Sequence, residues 1–327
     1  MLNVAQIGVG YWGPNLLRNM ISSKRCRVKT VVDLASERQE YVRGLYPAVN
    51  VTADVHEALE DPEIQAVVIA TPVKTHFEMA MTALKAGKHI LVEKPIATTV
   101  AEVDEIASLA GKKNLVAMVG HTFLYNAAVR YVKKLIDSGE LGDIRYIYSQ
   151  RLNLGRIRSD VDALWNFAPH DISIIQYWLG DPEPVSVIKR GVDYIQETID
   201  DVVFMNIFYP NKVMANIHVS WLDPRRLRQM TVVGSNKMIV YDNDAENKIA
   251  IYDKGIERKA VLGQNMDYDN PRLRSFNHRE GDVILPRINF PEPIKVEVEH
   301  FADCVENGTM CLSGIDHARK VVRILAC

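Results

Sequence analysis

Up to residue 121 the chain alternates between two textures. Five short runs are apolar almost throughout: Asn3–Ile7, Val28–Val32, Ala66–Ala70, His89–Val92 and Val116–Val119. Between them apolar residues recur at helical spacing, over Pro14–Ile21, Glu37–Leu45, Val55–Leu59, Thr75–Ala86 and Val100–Gly111. Strands without alternation are buried on both faces, and helices joining them in turn predict a doubly wound parallel α/β sheet. After a predicted helix over Ala127–Ser138 the texture changes. Ile144–Leu152, Val185–Val192, Val202–Tyr209, Val213–Leu222, Arg228–Val233, Met238–Tyr241 and Lys248–Tyr252 read as strands, several alternating apolar with polar residues. Turn signals such as Pro210-Asn211 and Gly234-Ser235-Asn236 separate them. This predicts an α+β domain with a large, mostly antiparallel, open-faced sheet, covered on one side and exposed or partner-bound on the other. One helix, Ile172–Leu179, interrupts it, and two more close the chain. The polar, Pro-rich stretch from Gly263 to Pro293 is predicted to be a long loop. The division expected is residues 1–121 and residues 122–327.

Composition narrows the function classes. The 327 residues suffice for two cores, and 47% hydrophobic with 24% charged residues is an ordinary globular balance. A net charge of -2 gives no electrostatic case for nucleic acid or an anionic membrane. No apolar run reaches the roughly 18 residues of a membrane span. The amino terminus opens directly on a strand rather than a charged leader, whereas the last helical pattern stops abruptly at Ala326 and Cys327, which predicts further carboxyl-terminal residues. Cys26, Cys304, Cys311 and Cys327 are scattered without a Cys-x-x-Cys pair. They are expected to be reduced thiols of a cytoplasmic protein, with neither a disulfide frame nor a metal site.

Gly8-Val9-Gly10-Tyr11-Trp12-Gly13 follows a predicted strand and opens a predicted helix, the context that a Gly-x-Gly-x-x-Gly match requires. The first glycine permits the tight turn, the second lets the backbone approach a pyrophosphate, and the third lets helix and strand pack closely. Phosphate charge then meets the unpaired amides and positive end of the helix. Asp33 ends the second strand, twenty residues past Gly13, where a carboxylate accepts both hydroxyls of an adenosine ribose. It also repels a 2′-phosphate, which favours NAD over NADP, while Arg38 is close enough in sequence to offset that repulsion. Residues 1–121 therefore read as an NAD-binding Rossmann domain.

Oxidising a secondary alcohol takes a hydride acceptor, a base for the hydroxyl proton and a group to stabilise the developing alkoxide. Glu93-Lys94-Pro95 follows the fifth strand, so Lys94 stands at the sheet edge where such folds bind ligands. It can donate a hydrogen bond to a reacting oxygen; the competing reading is an exposed lysine before a turn. His170, read as opening a helix after Pro169, is the candidate base, kept neutral by the helix dipole. The competing reading is a capping or core histidine. Arg151, Arg156 and Arg158 offer guanidinium forks for phosphate or carboxylate, or else a solvated basic loop. Arg225, Arg226 and Arg228 read more as sheet-edge charges. Tyr125 and Asn126 stand where the second domain begins and are candidate contacts for sugar hydroxyls.

Four stretches together resemble the Gfo/Idh/MocA family of sugar and cyclitol oxidoreductases, along essentially the whole chain. They are Glu93-Lys94-Pro95; Ala70-Thr71-Pro72 with His76; Trp165-Asn166-Phe167-Ala168-Pro169-His170-Asp171; and Glu292-Pro293 with Glu299-His300-Phe301. Gly10 to Asn15 and Ser220 to Arg225 are most similar to the branch acting on nucleotide-linked sugars, which includes UDP-N-acetylglucosaminuronate 3-dehydrogenase-like enzymes. The resemblance implies a homodimer or homotetramer and an NAD-dependent oxidation of a ring hydroxyl, at C3 in that branch, in surface-polysaccharide or related sugar biosynthesis. It places Thr71, Pro72, His76 and Glu93 beside the cofactor, and Asn166 with His170 at the reacting centre. Asn166 departs from the family's frequent aspartate, which puts a His–Asp relay in doubt and shifts weight to Lys94 and His170 together. Ala168 and Ser173 likewise stand where glycine and a second acid are frequent. Rival readings are a free-sugar or inositol dehydrogenase, a ketosugar reductase, and a non-catalytic NAD-binding regulator. A short-chain dehydrogenase is disfavoured because no Tyr-x-x-x-Lys occurs.

Overall fold

The computed structural model describes residues 1–155, 157–258 and 276–327. The first part runs β1 (Leu2–Ile7), α1 (Gly13–Ser22), β2 (Cys26–Val32), α2 (Ser36–Leu45), β3 (Asn50–Thr52), α3 (Val55–Leu59), β4 (Ala66–Ile69), α4 (His76–Lys85), β5 (His89–Glu93), α5 (Val100–Lys113) and β6 (Ala117–Gly120). All six strands pair in parallel, in the order β3-β2-β1-β4-β5-β6. The order reverses between β2-β1 and β4, the position at which open α/β sheets bind ligands. β4 and the middle of β5 are wholly buried, as their unbroken apolar runs predict. α5 shows how locally such elements are written: Thr99 and Glu102 form a capping box, and Asn114 ends the helix at φ 53°.

A short 3-10 turn, Thr122–Tyr125, leads into α6 (Ala127–Asp137), β7 (Ile144–Leu154), α7 (Ala163–Leu179), β8 (Ser186–Val192), β9 (Val202–Phe208), β10 (Met214–Ser220), β11 (Leu222–Gly234), β12 (Met238–Asp242), β13 (Ile249–Arg258) and β14 (Phe276–Ile284). α8 (Pro293–Asn307) and α9 (Ile315–Ala326) follow. Two compact units result: residues 1–127, 169–181 and 290–327, and residues 128–168 with 182–289. Relative to the expected division at 121/122, the last two helices and the second half of α7 are counted with the parallel sheet.

In the first unit α8 packs on α1 and on the turn after β6, while α9 packs on α5 and β6. Phe301, Val298 and Ile294 of α8 join Leu2, Val4, Leu16, Met20 and Met118 in one buried cluster. An ion pair and a hydrogen bond fix the docking: Arg18 of α1 donates to Glu292, and the Ser23 hydroxyl donates to Glu299 at 2.6 Å. Two pieces of the carboxyl-terminal sequence signature are therefore seam residues between α8 and α1.

The second unit is an eight-stranded sheet ordered β14-β13-β12-β11-β7-β10-β9-β8. Every pairing is antiparallel except β10 with β7. One face is buried through Ile147, Met205, Ile207, Ile217, Val232 and Ile239. The other carries Tyr146, Ile188, Phe204 and Met214, all exposed, with Phe204 stacked on His218 at 4.1 Å.

Three expectations are corrected. The helix drawn as Ile172–Leu179 begins at Ala163, because Asp162 caps it by accepting the Trp165 amide at 2.7 Å, and Pro169 lies inside it. His170 is therefore in mid-helix and gains nothing from a helix terminus. The loop expected from Gly263 to Pro293 contains β14, a charged edge strand paired with β13; residues 263–275 lie outside the described residues. The strand drawn through Val213–Leu222 breaks at Trp221, where β11 begins with a bulge between Leu222 and Leu227.

If α8 is part of the first unit's core, Phe301→Ala should cost about 3–5 kcal/mol, the usual range for emptying a buried aromatic site. Urea denaturation should show a lower midpoint at unchanged slope, whereas Phe290→Ala, at a half-exposed position, should leave the midpoint nearly unmoved.

Candidate active site

The glycine loop is held by contacts that leave no space for side chains. Gly8 sits at φ 92°, and a Cβ there would lie 2.7 Å from the Ala70 carbonyl oxygen. A Cβ on Gly13 would lie 2.5 Å from the Gly8 oxygen. The buried Gln6 side chain donates to both the Gly8 and Gly13 carbonyls at 2.9 Å, pinning the turn. Gly10, by contrast, has nothing within 4 Å of its Cβ position, so its backbone faces open space. The amino terminus of α1 has no side-chain cap; Pro14 there carries no amide hydrogen and the Asn15 amide is donated to the Trp12 carbonyl at 3.0 Å, so an anion would meet chiefly the loop amides and the positive end of the helix. Asp33 accepts the Val9 amide at 2.7 Å and the Ala35 amide at 2.9 Å, tying the end of β2 to the loop. This constellation fits a dinucleotide: an open glycine, an uncapped helix start, and a carboxylate beside them. Tyr11 is 87% exposed over the loop.

Behind it, at the carboxyl ends of β5 and β6, lies a dense group of ionisable side chains. Glu93 is opposite Gly120 in the sheet register, and a Cβ on Gly120 would come within 3.1 Å of the Glu93 carboxyl group. Burial pushes the Glu93 carboxyl up to about 7, against the opposing pull of the Lys94 charge, the Lys94 amide and a hydrogen bond from Trp12. Glu297 of α8 is buried with it and accepts from the Thr122 hydroxyl at 2.9 Å. Burial first, then the nearby Glu93 charge, raise Glu297 well above the usual carboxyl range. Lys94 itself precedes a cis peptide bond to Pro95.

Two histidines brace this edge. His76 places Nδ1 2.7 Å from the Pro95 oxygen and Nε2 2.8 Å from the Thr71 oxygen, linking the turns after β4 and β5. Burial depresses its imidazole, with the Lys94 charge adding to the effect and the two carbonyls opposing it. His121, directly after β6, is buried edge-on to His317 of α9 at 5.4 Å. Burial, and then the His317 and Lys94 charges, hold it far below the ordinary imidazole value. Phe123 of the following turn meets the His170 ring at 4.9 Å, which brings His170 to the same end of the sheet.

The sequence-derived candidates thus separate. Gly8, Gly10, Tyr11, Trp12 and Gly13 form one loop to which Asp33 is tied, Thr71, Pro72, Glu93 and Lys94 stand at the ends of β4 and β5, His76 opens α4, and His170 lies within α7, all in the same unit. Tyr125 does not offer its hydroxyl to a sugar: it is fully buried, 2.9 Å from the Ser313 hydroxyl, against the His300 ring. Asn126 is buried too. Arg158 forms a two-pronged pair with Asp160, at 2.8 and 2.6 Å, and Arg151 is buried on β7. Arg226 pairs with Asp244. Asn166 stands one turn before His170 on α7. Arg156 lies outside the described residues. Missed from the sequence were His121 and Glu297. His121 had a usable signal, a histidine ending an apolar strand, while nothing local marked Glu297.

A family model described as an oxidoreductase family with an NAD-binding Rossmann fold, GFO_IDH_MocA, matches residues 2–121, and the GFO/IDH/MocA C-terminal domain model matches residues 129–240. Among the most similar curated relatives, the chain covers from 37% to 89% of the relative's own length. A 2,7-anhydro-N-acetylneuraminate hydratase of Mediterraneibacter gnavus is 26% identical over 97% of this chain and 86% of its own. A scyllo-inositol 2-dehydrogenase (NAD(+)) of Bacillus subtilis is 26% identical over 95% and 89%. Among solved structures, UDP-N-acetylglucosamine 3-dehydrogenase GnnA from Acidithiobacillus ferrooxidans shares the fold, with TM-score 0.80 at 23% identity over 99% of this chain and 95% of that one.

The Glu93 carboxyl carries a pH signature. Its folded value, about 7, lies above the ordinary 4.5, so folding disfavours its charged form. The resulting cost is absent below 4.5, grows as pH rises toward about 7, and is complete above it. Glu93→Gln should remove this component, so Tm measured across that window should fall less with rising pH in the variant than in the wild type.

Proposed function

Because the chain belongs to the Gfo/Idh/MocA family of oxidoreductases, we propose that it is an NAD-dependent dehydrogenase oxidising a ring hydroxyl, at C3, of a nucleotide-linked sugar. The observation that supports this reading is that Lys94 follows β5 while Phe123, in the turn after the neighbouring β6, contacts the His170 ring, so both candidates belong to the carboxyl edge of the dinucleotide-binding sheet. Bound NAD supplies the hydride acceptor. Gly8, Gly10, Gly13 and the start of α1 would hold its pyrophosphate and Asp33 its adenosine ribose.

Lys94 donates a hydrogen bond to the reacting hydroxyl and stabilises the alkoxide as it forms. His170 receives the proton. Asn166, one turn earlier on α7, orients by hydrogen bonding and cannot accept a proton itself. His121, held neutral by burial, adds no second positive charge near Lys94. His76 acts through the Thr71 and Pro95 carbonyls, fixing the two turns. The nucleotide portion of the substrate calls for guanidinium groups. Arg156 and Arg158 are the residues proposed for it, Arg158 by exchanging Asp160 for phosphate.

Self-association through the second unit completes the reading. Tyr146, Ile188, Phe204 and Met214 form an exposed apolar set on one sheet face, of the kind that a second copy covers. The reading also takes the protein to be cytoplasmic, in keeping with free thiols among the described residues.

Single-turnover hydride transfer tests the chemistry, with UDP-, dTDP- and GDP-sugars screened against free sugars and inositols. Lys94→Ala and His170→Ala should each lose about 10²–10⁴ in rate while still binding NADH; near-normal rates in His170→Ala would move the base elsewhere. Asn166→Asp should keep activity. Turnover of free inositol alone, unaffected by Arg158→Ala, would favour the inositol dehydrogenase reading. Titration of both cofactors should give tighter binding of NADH than NADPH, and Asp33→Ala should narrow the gap. Light scattering should return a mass above the 36.9 kDa protomer; a monomer at all concentrations would remove the oligomer.

A further inference from the structure

Away from the reacting edge, three side chains that the function above does not use converge in the first unit. His300 and Cys304 lie one turn apart on α8, and Cys311 returns beside them after the chain reverses at Gly308, φ 66°. His300 Nε2 and the two Sγ atoms all lie within 4.8 Å of one another. The Cys304 Sγ to His300 Nε2 separation is 3.4 Å. Tetrahedral zinc, with Zn–S near 2.3 Å and Zn–N near 2.0–2.1 Å, sets such a pair about 3.5 Å apart. Cys304 is buried, whereas His300 and Cys311 are partly exposed, so the group has a closed floor and an open side. We propose that His300, Cys304 and Cys311 form a binding site for a thiophilic divalent cation of the zinc class, its fourth position open to water.

The chemistry of the donor set selects the ion. Two thiols and an imidazole are soft and borderline donors that suit zinc and cadmium and suit magnesium or calcium poorly. Binding releases both thiol protons to solvent, and two thiolates then balance the double positive charge, leaving no net charge in a half-buried site. The Leu312 amide donates to His300 Nε2 at 3.0 Å, which makes that nitrogen the acceptor and keeps the ring's proton on Nδ1. Coordination exchanges this hydrogen bond for a metal bond. Its mechanical effect would be local: Ser313, two residues past Cys311, accepts the Val119 amide at 2.9 Å and places its hydroxyl beside Tyr125. A cation would clamp α8 to the segment that supports β6.

Cadmium(II) titration of the full chain, kept reduced by a phosphine, tests this through cadmium–thiolate charge-transfer absorbance. The wild type should saturate at one cation per chain with two protons released, and zinc should displace the cadmium. Cys304→Ser and Cys311→Ser should each lose about half of the absorbance, the double variant all of it, and cadmium should raise Tm in the wild type but not in the double variant. Cys327→Ser should titrate as the wild type does. NADH binding serves as the fold control for every variant. No saturable absorbance, or the same absorbance in a double variant that still binds NADH, would overturn the proposal. A Cys304–Cys311 disulfide that persists under phosphine would overturn it as well.

Discussion

A parallel sheet apolar on both faces cannot stand with one face bare, and that constraint organises the first unit. β1 and β6 present Leu2, Val4 and Met118 to a layer that the alternating strands and helices of residues 1–121 do not complete. The chain completes it from its far end, laying α8 and α9 against α1, α5 and β6. Burial of Phe301, Val298 and Ile294 drives the docking, while the Arg18–Glu292 and Ser23–Glu299 contacts set its register. The exposed ion pair contributes little energy, but a two-pronged guanidinium–carboxylate contact has a preferred geometry and so fixes an angle.

That docking has chemical consequences, because α8 and α9 bring side chains to the strand ends. Glu297 arrives behind Glu93, and His317 arrives against His121. The Gly308 reversal and the Ser313 contacts with Val119 and Tyr125 belong to the same return path. The residues that shape the electrostatics around Lys94 therefore come from stretches of the sequence about two hundred positions apart.

This explains what was legible in the sequence. Unbroken apolar runs fixed the main parallel strands, since β4 and β5 are buried on both sides and leave no other reading. The glycine loop was legible because its requirement is local: Gly8 and Gly13 are squeezed by backbone within the same turn or the adjacent strand end. β3 was missed because three residues, partly exposed, carry no pattern. β14 was missed because a charged edge strand hides its period. The start of α7 was misplaced because Pro169 reads as a boundary, although Asp162 caps the helix two turns earlier. Tyr125, Glu297 and the His300 group were beyond reach: each depends on a partner brought by α8 or the segment after it, and no spacing rule encodes such a meeting.

The charge arrangement at the strand ends follows from the same burial. Two carboxyl groups, Glu93 and Glu297, share a site almost without water, so both cannot carry charge cheaply. Glu93 is adjacent to the Lys94 cation and receives the Lys94 amide and the Trp12 hydrogen bond, all of which favour its anion. Glu297 has only the Thr122 hydroxyl in its favour and the Glu93 charge against it. Of the two, Glu297 therefore holds its proton more firmly, and Glu93 is the first to ionise as pH rises through about 7. His121, depressed by burial and by its positive neighbours, is neutral. The half-buried Lys94 cation thus acts on Glu93, which balances it once ionised, and on the neutral His121 imidazole. Removing either carboxyl group disturbs this arrangement in a different way, since one balances Lys94 directly and the other fills space with a proton already in place.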